Sequence, residues 1–108
     1  MHKEPEIFIG HILSCINDIL LYTEGMSIES FMSNKMVQDA VIRNFEVMGE
    51  ASKNISADFR NQQSEIPWRQ IAGLRDVLIH NYLKVDLEAV WTTVTDHLPS
   101  LKLKLEKL

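Results

Sequence analysis

Apolar residues recur along this chain at three- and four-residue intervals, separated by short polar stretches. From Pro5 to about Thr23, Ile9, Ile12, Leu13, Ile16, Ile19 and Leu20 form one stripe, the pattern of an amphipathic helix rather than a strand. Gly25 stops it. Ser27 to Met32 reads as a turn or short helical piece, with Ile28 and Phe31 three apart, and Ser33 or Asn34 is placed to cap a further helix. This second long helix is expected over Lys35 to Ile55, with Val37, Ala40, Val41, Val47, Met48, Ala51 and Ile55 on its apolar face. Asn44 falls inside that stripe, so its amide is expected to reach across to another helix or subunit. Gly49 costs about 1 kcal/mol relative to Ala in mid-helix. Close helix approach would offset that cost, with Glu50 beside it either as an exposed charge or in a polar network near Arg75.

Ser56 to Glu65 is polar and linker-like, with Asn61, Gln62, Gln63 and Ser64 in a row. The next stretch, Ile66 to Val85, reads IPWRQIAGLRDVLIHNYLKV. Pro67 suits a first helical turn, where its missing N–H has no intrahelical partner to lose. Ile71, Leu74, Val77 and Leu78 then repeat at helical spacing. Asp86 can cap a last helix with Leu87, Val90, Trp91, Val94 and Leu98 facing inward. Pro99 would clash with the carbonyl four residues back, which predicts a kink or break. The tail LKLKLEKL alternates like a strand, but its helix formers favour a short helix or a frayed end. Helices joined by short links predict an all-α, up-and-down bundle of four to five helices, in a single domain over residues 1–108.

Composition adds limits. Of the 108 residues 45% are hydrophobic and 24% charged, as in ordinary globular proteins. No apolar run approaches the roughly 20 residues that span a bilayer, and the N-terminus carries acids where a secretory signal would be basic. A single cysteine, Cys15, excludes an internal disulfide framework and fits a reducing cytoplasm. The net charge of −4 is unlike a general nucleic-acid coat. Cations nevertheless gather at Lys53, Arg60, Arg69, Arg75 and Lys84. The four histidines form no zinc-type spacing with cysteine, and there is no HExxH, glycine-rich phosphate loop or GxSxG elbow. No metal or nucleotide cofactor is expected within the chain.

The central stretch holds more chemistry than a core helix needs. Asp76 and His80 are four apart and share a helix face, so the carboxylate can accept from one imidazole nitrogen and leave the other for proton transfer. Arg75 and His80 are five apart, about 140° around an ideal helix. They converge on one target only if the helix bends or ends near His80, or if a second copy supplies its own pair. On an arbitrary helix, a salt-bridged surface with Asp76 serving both neighbours is the commoner arrangement. Trp68 and Trp91 read as core or interface anchors, and Met26, Met32, Met36 and Met48 as gap-fillers.

Arg75, four residues, His80, one residue and Tyr82 together resemble the signature of the HepT-like branch of the HEPN superfamily. The segments DAVIRNFEVMGEASKNIS from Asp39 and IPWRQIAGLRDVLIHNY match that family in order and spacing, so the resemblance covers nearly the whole chain. It implies a helical-bundle homodimer acting as the ribonuclease toxin of a toxin–antitoxin pair, on RNA such as tRNA or mRNA. Arg75 and His80 of both protomers would face a shared cleft and cleave RNA by 2′-OH attack without a metal, Asp76 supporting His80. The implied partner is an MntA-type nucleotidyltransferase antitoxin that attaches AMP to Tyr82. The alternative is a catalytically inactive helical module that docks a nucleotidyltransferase.

Overall fold

In the computed structural model, residues 4–78 and 85–108 are described, positions 75–78 by backbone alone. All regular structure among them is helical. Helix α1 (Pro5–Tyr22) is followed by the short α2 (Ile28–Met32), long α3 (Lys35–Lys53), short α4 (Ala57–Gln62) and α5 (Trp68–Leu78). The last arm runs from α6 (Leu87–Thr92) through a π-helical turn (Thr93–His97) into α7 (Leu98–Glu106). The bundle expected from the periodicity is therefore present, with α1 packed on α3 and α7, and α3 on α5.

Local chemistry sets the boundaries. Gly25 adopts φ 76°, a left-handed conformation that costs glycine nothing, and turns the chain after α1. Ser27 and Ser30 form a reciprocal capping box for α2. Of the two candidate caps for α3, Asn34 fills the role: its Oδ1 accepts from Val37 N–H at 3.1 Å. Asp86 caps α6 as expected, accepting from Ala89 N–H at 3.1 Å.

The core comprises Ile12, Ile16 and Ile19 of α1, Phe31 of α2, Val41, Phe45 and Met48 of α3, Ile71 of α5, and Val90, Leu98 and Leu105 of the last arm. Phe45, at helical spacing between Val41 and Met48, is fully buried where the expected stripe gave Val37 and Val47, which lie only partly buried at its edge. Met48 fills the core, but Met36 is 82% exposed and fills no gap.

Three local expectations are corrected. Asn44 does not cross to another element: its Nδ2 donates to the Ala40 carbonyl of its own helix at 2.8 Å. The polar stretch after Ile55 is not a plain linker, because Ser56 accepts from Phe59 N–H at 3.2 Å and starts α4. At Pro99 the helix does not break, and the tail takes the short-helix form rather than the frayed end. The preceding turn widens to π form, which eases the clash with the carbonyl four residues back, and the helix continues to Glu106. Leu101 and Leu105 of the tail are buried. Among the described residues no helix is long and apolar enough to cross a membrane.

Candidate functional site

Helix α5 carries Arg75 and Asp76 of the predicted site, and its start is firmly built. The Gln63 carbonyl accepts from Ile66 N–H at 3.2 Å and from Trp68 Nε1–H at 3.0 Å. Trp68 is 7% exposed and meets Phe59 of α4 edge-on, ring centroids 6.3 Å apart. Pro67 precedes the helix, and its carbonyl accepts from Ile71 N–H at 3.0 Å to close the first turn. Ile66, Trp68 and Ile71 are buried, so this end of α5 is fixed against the bundle.

From that anchor α5 runs to the backbone positions of Arg75 and Asp76, which are consecutive and so about 100° apart around the axis. Their side chains, and all of His80, Asn81 and Tyr82, lie outside the described residues. The other described histidines are exposed: His11 lies edge-on to Phe8 on α1, and His97 sits in the π turn. Glu50 is exposed.

Beside α5 lies a groove of about 660 Å³, with Pro67 to Leu74 on one wall and Thr93 to Lys104 on the other. Its floor is apolar, with Ile71, Leu74, Leu98 and Leu101, and the exposed Arg69, His97 and Lys104 stand among the residues lining it. Its size falls within the range usual for ligand sites, roughly 300–1,000 Å³. The sequence groups Arg69 with the central cations but does not join it to His97 or Lys104. The available signal is Thr93, His97, Ser100 and Lys104, a polar stripe at helical spacing beside Leu98 and Leu101.

A model of the "Ribonuclease HepT-like" family matches residues 12–108, which takes in α3, α5 and the whole last arm. This chain belongs to that family. A Thermococcus cleftensis protein named "Probable ribonuclease HepT" is 44% identical over 108 residues, covering 100% of this chain and 98% of its own length. A Methanocaldococcus jannaschii protein named as a putative RNase is 42% identical over 106 residues, covering 98% of this chain and 91% of its own. Another from that organism, named "Gamma-glutamylcyclotransferase and putative RNase", is 41% identical over 108 residues. All of this chain aligns to it but spans only 49% of its length. No solved structure matches the chain. HepT-like membership agrees with the resemblance carried by Arg75, His80 and Tyr82.

Proposed function

We propose that this HepT-like protein is a metal-independent ribonuclease toxin, with Arg75 and His80 as its catalytic residues. The observation that carries the reading is a family match running through α5 and the segment after it, where the sequence keeps Arg75, Asp76, His80 and Tyr82 in order. Relatives covered over nine-tenths or more of their length bear ribonuclease names, which supports the same activity here.

The proposed chemistry uses the nucleophile that RNA carries. One His80 takes the proton of a ribose 2′-OH, whose oxygen attacks the adjacent phosphorus. The bond from phosphorus to the 5′ oxygen breaks, and a second acid, His80 of the other protomer, protonates the leaving oxygen. The products are a 2′,3′-cyclic phosphate and a 5′-OH end, and both histidines end in exchanged protonation states. Positioned acid–base groups contribute about 10²- to 10⁴-fold each. The Arg75 guanidinium holds the phosphate oxygens bidentately as charge accumulates on them. Asp76 orients His80 from one turn away. A homodimer supplies the pairing of Arg75 with His80 across about 140° of helix.

Tyr82 is the proposed control point. A partner nucleotidyltransferase of the MntA type would join its hydroxyl oxygen to the α-phosphorus of a nucleoside triphosphate, releasing pyrophosphate and the hydroxyl proton. The attached AMP would place an anion beside Arg75 and His80 and exclude RNA by charge and bulk. The catalytically inactive docking module remains the second reading, favoured by the net charge of −4. Incubation of single-stranded RNA with the purified protein in EDTA decides between them. Fragments ending in 2′,3′-cyclic phosphate, absent with His80→Ala, support the ribonuclease. RNA left intact by a folded protein refutes it.

A further inference from the structure

Gly73 lies in the interior of α5, where glycine weakens a helix relative to alanine. A Cβ placed on it would meet nothing within 4 Å, so no neighbour inside the fold calls for its small size. The residue lines the groove between α5 and the last arm. A missing side chain facing open space is what close approach of a ligand along α5 would require.

Charge identifies the ligand. The lining holds the cations Arg69 and Lys104 against one carboxylate, Asp96, on a chain whose net charge is −4. Among the described residues the ion pairs are Lys35–Asp39 and Arg43–Glu46, so neither groove cation is neutralised by a pair. Asp96 is itself engaged, accepting from the Thr95 hydroxyl at 3.0 Å. The lining also holds the aliphatic Ile71, Leu74, Leu98 and Leu101, and Gln70 and Ser100 offer hydrogen-bonding groups. The opposite wall includes Thr93 and His97 of the π turn, a local geometry frequent at functional sites. Apolar, hydrogen-bonding and cationic groups together suit a nucleoside with its flanking phosphates. Leu74 directly precedes Arg75 in α5, so a strand in the groove would run along the helix toward the backbone position of Arg75.

We propose that this groove binds a nucleotide of the single-stranded RNA neighbouring the one that is cleaved. The inference rests on the ribonuclease reading. Gly73 provides room for the sugar and base, and Arg69 and Lys104 hold the phosphates on either side.

The test uses a single-stranded 2′-O-methyl RNA, which lacks the attacking hydroxyl and stays intact. Its affinity is measured by fluorescence anisotropy for the wild type, Gly73→Leu, Lys104→Glu and, as control, Lys35→Ala. Each sample's oligomeric state is measured by sedimentation, its melting by circular dichroism, and wild-type cleavage of ordinary RNA is followed alongside. Gly73→Leu and Lys104→Glu are expected to weaken binding tenfold or more with melting preserved, and Lys104→Glu to flatten the salt dependence. Lys35→Ala should bind like the wild type. Unchanged affinity in both groove variants, with ordinary RNA still cleaved, overturns the groove assignment and leaves the ribonuclease standing. A shift in oligomeric state with Gly73→Leu assigns the groove to a second copy of the chain and also overturns it. A wild type that neither binds nor cleaves RNA removes both.

Discussion

The ring of Phe31 lies against the indole of Trp91, with centroids 5.0 Å apart and ring planes inclined by 33°. This contact joins α2, a helix of only five residues, to the last arm, and Phe31 is completely buried in making it. Such a short helix has little stability of its own and depends on what it packs against. Phe31→Ala should cost about 3–5 kcal/mol, the usual range for emptying a buried aromatic site. Thermal unfolding by circular dichroism would show it as a large drop in midpoint, and the Trp91 contribution to fluorescence should change with it. A midpoint within a degree or two of wild type would mean that α2 is not held by this pair.

Cys15 gives a prediction with a sign. Burial, and secondarily the negative charge of Asp18, raise its thiol pKa above the ordinary 9.0. In the folded protein the neutral thiol is therefore favoured. The stability this contributes is complete below the unfolded pKa and is lost as pH rises through the higher folded one. A thiol reagent at neutral pH should label the native protein far more slowly than the denatured one, since both thiolate and access are lacking. Stability should also fall more steeply above pH 9 in the wild type than in Cys15→Ala, compared by urea midpoints at each pH. Rapid native labelling would show that α1 opens locally.

The difference between what sequence and structure reveal depends on particular residues. Long helices announce themselves by repetition, so α1 and α3 are legible to within a residue or two from Ile12, Ile16, Val41 and Met48. Short ones do not repeat. Helix α4 hides in a polar row because one serine cap and a single aromatic contact, Phe59 on Trp68, suffice to hold it. Asn44 looks like a bridge because its position is helical-core, yet the cheapest partner for a mid-helix amide is the carbonyl one turn back. Pro99 marks a real disturbance, but periodicity has no symbol for a π turn. At the site the order of legibility reverses. Arg75, Asp76, His80 and Tyr82 stand out through the family resemblance of the segments around them, whereas the groove needs the meeting of α5 with the last arm, which no local pattern encodes.

Removal of the proposed catalytic groups should separate toxin from docking module in living cells. Expression of the wild type without a partner is expected to arrest growth. Arg75→Ala and His80→Ala should each relieve the arrest, while Lys35→Ala, whose exposed pair with Asp39 contributes little, should not. Asp76→Asn should be intermediate, since it keeps a hydrogen-bond acceptor for His80 but loses the charge that stabilises the imidazolium. Plating efficiency after induction, with protein levels matched by immunoblot, reads all four. Equal toxicity across the series would exclude Arg75 and His80 from the chemistry.

The regulatory proposal is the one most directly read in mass. Each AMP joined to a tyrosine hydroxyl adds one nucleotide unit and roughly one negative charge, changes that intact-mass spectrometry and isoelectric focusing resolve. Co-expression with a cognate nucleotidyltransferase should yield protein heavier by whole AMP units, and Tyr82→Phe should stay at its unmodified mass. Phenylalanine keeps the ring and removes only the attacking oxygen, so a folding defect would not be mistaken for lost modification. The same substitution should leave the ribonuclease active and make its toxicity insensitive to the partner. Modification persisting on Tyr82→Phe would move the acceptor elsewhere, with Tyr22, 42% exposed at the end of α1, the other tyrosine to examine. An unmodified wild type that binds its partner tightly and loses toxicity would instead establish neutralisation by contact.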